Sequence, residues 1–183
     1  MPELPEVETV RRVLESQLKG RSIQKITVEN PCVIARPGAD EFCSLLTGQG
    51  IAALSRRGKF LILKLESGDR VILHLRMTGC LLVAPPEYPA EKHTHLRLHL
   101  SDGNELRFSD MRRFGRFWLI RKGESDTYSG IDKLGLEPFD TGLDAEYLRA
   151  HFGKSRRAIK TCLPGRSLSE IKSHRSRYFQ FPQ

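Results

Sequence analysis

The sequence predicts an α+β protein: an N-terminal helix packed on an antiparallel β-sandwich, followed by an incomplete helical segment. Three observations carry that expectation. Val7, Val10, Leu14 and Leu18 recur at helical spacing near the start. Short strand-like runs follow over 51–56, 59–66, 70–76, 80–84, 94–100, 105–109 and 114–121. Beyond residue 133, the turn-rich stretch Leu134-Gly135-Leu136-Glu137-Pro138 ends the strand texture, and helical spacing returns over 144–152.

In chain order, Pro5 suits the first turn of a helix, and Glu6 and Glu8 complement the positive end of its dipole. Glu8, Arg11, Arg12 and Glu15 fall on the polar face, and Gly20 ends the element. Residues 22–29 alternate through Ile23, Ile26 and Val28 and read as a strand. Asn30 to Gly38 reads as a loop with two prolines, and Asp40 as the cap of a short helix through Phe42, Leu45 and Leu46. In the β region, Ser67-Gly68-Asp69, Pro85-Pro86 and Ser101-Asp102-Gly103-Asn104 supply turn chemistry between strands. Many short strands at this spacing argue for a sandwich or a barrel. The expected organisation is a β-sandwich domain over 1–133, a linker and partial helical domain over 134–163, and a basic tail over 164–183.

The chain has 183 residues, 39% of them apolar, enough for a real core. The formal net charge is +8 and the isoelectric point about 9.6, which suggests a polyanionic partner. No apolar run approaches the ~20 residues of a membrane span, and the acidic, proline-rich start is not expected to be a signal peptide. Cys32, Cys43, Cys80 and Cys162 are far apart and form no paired motif, so neither a zinc site nor a disulfide framework is expected.

Several stretches carry potential chemistry. Pro2 follows the initiator methionine. Trimming of Met1 would leave a secondary amine able to attack an electrophilic carbon, and the iminium so formed is a strong electron sink. Glu3 beside it could move protons. A plain helix start explains the same residues. Arg56 and Arg57 precede Gly58-Lys59 at a strand entrance, where a lysine can reach a phosphate or a reacting group, or simply face solvent. His74-Leu75-Arg76-Met77-Thr78-Gly79 puts a flexible apolar side chain at a strand end, suited to wedging into a base stack if exposed, or to the core if buried. Asp110-Met111-Arg112-Arg113-Phe114-Gly115 sets a ring beside guanidinium groups, a pairing that suits opened nucleic acid, although Phe114 could equally be core.

Taken together, these stretches resemble the formamidopyrimidine-DNA glycosylase family of bacterial-type repair enzymes. The resemblance rests on residues 2–9, Arg57-Gly58-Lys59, residues 74–79, Lys92-His93, residues 110–115, residues 134–138 and Arg156-Arg157-Ala158-Ile159-Lys160, in that order. It implies a glycosylase and AP lyase that removes oxidised purines (8-oxoguanine, formamidopyrimidines). The strand would then be cut by β,δ-elimination through an imine with the N-terminal proline. It implies Pro2 as nucleophile, Glu3 as acid, Glu6 as support and Lys59 as a phosphate contact and an aid to acid chemistry. Met77, Arg112 and Phe114 would fill the gap left by a flipped base, and His74, His93 and Lys160 would contact DNA. Flipping is needed because the target atom is unreachable inside the stack. The implied setting is a monomer on damaged double-stranded DNA in the bacterial cytoplasm, associated with the nucleoid and with no membrane partner.

After Leu163 the resemblance stops. The family continues with a helix-two-turn-helix domain containing Gly-x-Gly-Asn and with a four-cysteine zinc finger or a zincless counterpart. Here Pro164-Gly165-Arg166-Ser167-Leu168-Ser169 follows instead, and no zinc-ligand set is present, so no cofactor is expected. The break reads as a truncation or frameshift that would weaken the grip on DNA, because each lost phosphate contact forfeits its counterion release, and activity is expected to be impaired by loss of the C-terminal half. A non-catalytic nucleic-acid-binding remnant is the alternative reading.

Overall fold

A computed structural model describes residues 2–153. Two compact units divide the chain, Met1–Ile131 and Asp132–Gln183. Lys160 and the basic tail at 164–183 lie outside the described residues.

The first unit opens with α1 (Leu4–Leu18), which buries Val7, Leu14 and Leu18. After β1 (Ile23–Val28) come β2 (Ile34–Arg36) and α2 (Ala39–Leu46). The strands β3 (Ile51–Arg57), β4 (Phe60–Leu65), β5 (Arg70–His74), β6 (Gly79–Ala84), β7 (Thr94–Leu100), β8 (Glu105–Asp110) and β9 (Arg116–Ile120) complete the unit. They form a four-stranded sheet, β1-β7-β8-β6, and a five-stranded sheet, β2-β9-β5-β4-β3.

The two inner faces supply the core. Leu96, Leu98, Leu106 and Phe108 of one sheet belong to the same buried cluster as Leu61, Leu63, Leu73 and Phe117 of the other. Phe108 meets Phe117 edge-on with centroids 5.0 Å apart, and Phe42 from α2 meets Phe117 at 6.4 Å. On the outer face of β8, Glu105 and Arg107 are buried as well. The Arg107 guanidinium bonds Glu105 at 2.7 Å and donates to the carbonyls of Pro85, Pro86 and Tyr88, so the loop after β6 covers that face.

Every pairing is antiparallel except β2 with β9, which run parallel with Ile34 opposite Phe117. That strand falls inside the stretch expected to be loop. It is three residues long and its alternation is masked by the prolines on either side, Pro31 and Pro37. Asp40 does not cap α2. Gly38 holds the N-cap position without a side-chain bond, and Asp40 lies in the first turn, where its charge suits the dipole.

In the second unit, α3 (Ala145–Phe152) is capped by Asp144, whose carboxylate accepts the Tyr147 N–H at 2.7 Å.

Candidate nucleic-acid site

The N-terminus of α1 is built as a capping box. The Glu3 side chain accepts the Glu6 N–H, and the Glu6 carboxylate accepts the Glu3 N–H at 2.9 Å. The Glu3 carboxylate also meets the ammonium of Lys59 at 2.7 Å. Glu3 is half-exposed, whereas the Lys59 side chain is largely buried. Pro2 stands directly before this carboxylate, half-buried, at the electropositive end of α1.

Lys59 reaches Glu3 because of the β3–β4 turn. Gly58 takes φ +54°, a left-handed conformation that favours glycine. Arg56 braces the turn: its guanidinium donates to the Gly58 carbonyl at 2.9 Å and pairs with Glu8 of α1 at 3.1 Å. Glu8 also holds Arg11 and Arg12, and its carboxyl is lowered to about 2, chiefly by the hydrogen bond from Arg11 and despite burial. The helix carrying Glu3 and the turn carrying Lys59 are therefore tied through Glu8 and Arg56, whose pairing with each other the sequence did not indicate.

His74 lies opposite Phe60 in the β4–β5 ladder, and the two rings pack edge-on at 4.6 Å. Burial pushes the His74 pKa down to about 4, and the charges of Arg76 and Lys59 act in the same direction. The imidazole is thus neutral near pH 7. Its Nδ1 accepts the Arg76 N–H at 2.9 Å, which leaves the proton on Nε2.

Two loops beyond the sheet ends carry the next group. Met77 is 43% exposed and Phe114 51% exposed, so both are open surface rather than core. Arg112 Nη1 lies 3.0 Å from the Met77 sulfur. Met77, Arg112 and Phe114 therefore sit on adjoining loops. Arg76 and Arg113, the neighbours of Met77 and Phe114, both hold φ +58°, a conformation that costs a non-glycine residue about 1–3 kcal/mol.

Behind them, Asp110 is buried. Its carboxylate accepts the Thr78 hydroxyl, the Arg112 N–H at 3.1 Å and the Gly115 N–H at 2.8 Å. Burial alone would raise its carboxyl. The bonds from Thr78, Gly115, Arg112 and Phe114 outweigh that and hold it below the ordinary aspartate value.

His93, just before β7, gives its carbonyl to the Asp110 N–H at 3.0 Å. With Lys92, Asn30, Arg97 and Arg113 it lines an open, mostly polar cleft of about 580 Å³. Pro2, Glu3, Glu6, Lys59 and His74 thus form one group and Met77, Arg112 and Phe114 a second, and His93 lines a cleft to which Arg113 of the Arg112–Phe114 loop also contributes. Among the described residues, no cluster of histidine, cysteine and acidic side chains could hold a metal ion, and no helix is long and apolar enough to cross a membrane.

Comparison with known proteins gives one consistent result. The formamidopyrimidine-DNA glycosylase N-terminal domain family matches residues 1–117. The formamidopyrimidine-DNA glycosylase of Desulforamulus reducens is 43% identical over 164 residues, spanning 89% of this chain and 59% of that protein. That of Moorella thermoacetica is 44% identical over 163 residues, spanning 89% and 60%. Among solved structures, the Lactococcus lactis Fpg bound to abasic-site DNA superposes with a TM-score of 0.78 at 37% identity, covering 88% of this chain and 60% of that one. The same bacterium's complex with Fapy-dG DNA gives 0.77 at 38%, with coverage of 88% and 60%. The chain spans about three-fifths of the length of the relatives it matches.

Proposed function

The chain belongs to the formamidopyrimidine-DNA glycosylase family, and on that premise we propose that it is a base-excision glycosylase and AP lyase acting on oxidised purines in duplex DNA. The observation that carries this reading is the Glu3 carboxylate, fixed between its own helix start and the Lys59 ammonium at 2.7 Å, directly after Pro2.

With Met1 removed, the Pro2 nitrogen is a secondary amine, and the dipole of α1 favours its neutral form. Its lone pair attacks C1′ of the damaged nucleotide, and the glycosidic bond breaks with its electron pair leaving on the base, which takes up a proton. Glu3 then protonates the sugar ring oxygen, with Lys59 at hand to resupply it, and the C1′–O4′ bond opens to an iminium. The iminium acidifies the C2′ hydrogen. β-Elimination expels the 3′ phosphate, and a second elimination releases the 5′ phosphate. Met77, Arg112 and Phe114 occupy the space vacated by the flipped base. His74 contacts a phosphate as a neutral donor through Nε2, and His93 with Lys92 contacts the backbone at the open cleft. Lys160 is proposed as a further contact on the sequence resemblance alone. The relatives in complex with abasic-site and Fapy-dG DNA support this partner class.

The test is strand cleavage of a duplex carrying one 8-oxoguanine, with intact mass confirming loss of Met1. The expected product is a one-nucleotide gap with phosphate at both ends, abolished in Pro2→Gly. Salt-sensitive binding without cleavage in the parent chain would instead support the non-catalytic reading.

A further inference from the structure

Asp110 is not among the residues proposed to touch DNA, yet it joins the Met77 loop, the Arg112–Phe114 loop and the segment at His93. Its carboxylate takes the Thr78 hydroxyl from the loop that presents Met77. It takes the Arg112 and Gly115 N–H groups at 3.1 and 2.8 Å from the loop that presents Arg112 and Phe114. Thr78 reinforces the link, because its hydroxyl oxygen also accepts the Arg112 N–H at 3.2 Å. The Asp110 main chain does the rest. Its N–H donates to the His93 carbonyl at 3.0 Å, and its carbonyl accepts Nε2–H of the buried His95 at 2.7 Å. Each of the two loops holds an arginine at φ +58° next to its projecting side chain. Strained conformations of that kind persist only when the surroundings over-determine them. Here the Arg113 N–H donates to the Asp110 carbonyl at 3.2 Å, the Arg76 N–H to His74 Nδ1 at 2.9 Å, and the carboxylate bonds hold the residues beside them.

We propose that Asp110 is a positioning residue that locks the Met77 loop to the Arg112–Phe114 loop, so that the two enter a duplex as one rigid wedge, with His95 fixing Asp110 from behind. This rests on the proposed role of Met77 and Phe114 in opening DNA. A solvated loop could present the same side chains, but their entropy would be lost on insertion. Pre-fastening removes that cost.

The test compares borohydride trapping on one abasic site placed in a duplex and in a single strand, where no helix has to be opened. Thr78→Val and Asp110→Asn are each expected to slow trapping on the duplex by about tenfold, the scale of one hydrogen bond to a charged group. Single-strand trapping stays at the parent rate, and Thr78→Ser, which keeps the hydroxyl, behaves as the parent. Equal losses on both substrates would overturn the proposal, since Asp110 would then merely hold the fold. So would unchanged duplex trapping in Thr78→Val while Met77→Ala and Phe114→Ala are slow. If those two variants are also at the parent rate, the wedge reading itself fails and takes the proposal with it. Hydrogen exchange on the free protein gives an answer that needs no DNA chemistry. Thr78→Val should speed exchange in 76–79 and 111–115 together, and a rise confined to 76–79 would contradict the lock.

Discussion

Glu3 and Lys59 are 56 positions apart in the chain and 2.7 Å apart in the fold. The motif around each was legible, but their meeting was not, because it depends on the Gly58 turn and on Arg56 bridging to Glu8. Replacing Lys59 by Met leaves Glu3 its helix cap but removes the ammonium proposed to resupply its proton. Excision in single-turnover assays should fall by about a hundredfold, the lower range for loss of acid–base assistance, while duplex affinity changes little. His74 makes a separate statement about pH. The unfolded chain binds a proton on this ring below about pH 6.5, whereas the folded ring does so only near pH 4. The unfolded state therefore holds more protons across that window, and stability falls as the pH drops through it, by up to about 3 kcal/mol. Above pH 6.5 the contribution is level. Urea midpoints at pH 7 and pH 4.5 should differ less in His74→Gln than in the parent, and an unchanged difference would show that His74 titrates normally.

Apart from β2, the strands were legible because their apolar runs are bounded by turn residues, and the observed limits differ from the expected ones by a few residues at most. The polar positions inside β8 were not. Glu105 and Arg107 alternate with Leu106 and Phe108 as a solvated face would, yet both are buried under the loop containing Pro85 and Tyr88. Removing the guanidinium with Arg107→Met leaves the Glu105 carboxylate buried beside three abandoned carbonyls, a loss of about 3–5 kcal/mol in chemical denaturation. At Gly115 the limit is steric. A Cβ there would stand 2.4 Å from Cζ of Phe108, whose ring packs on Phe117 across the two sheets. Gly115→Ala should cost about 1–3 kcal/mol by displacing that ring, a shift readable in the thermal midpoint.

For the whole molecule, the net charge of +8 pointed to a polyanion, and the family match agrees with DNA. Composition could not say where the charge would be used. Arg11, Arg12 and Arg56 are spent on Glu8, while Lys92 and Arg113 line the open cleft beside His93. If the cleft follows the phosphate backbone, Lys92→Ala should lower the slope of log affinity against log salt by about one, equally for every sequence tested. An unchanged slope would remove the cleft from the DNA footprint. The central claim concerns the first residues, and it is tested most directly by reducing the chain with borohydride on an abasic oligonucleotide and mapping the bonded peptide by mass spectrometry. The expected result is a single adduct on the peptide that begins at Pro2, with Met1 absent. An adduct on Lys59 or another lysine, with the Pro2 peptide unmodified, would contradict it.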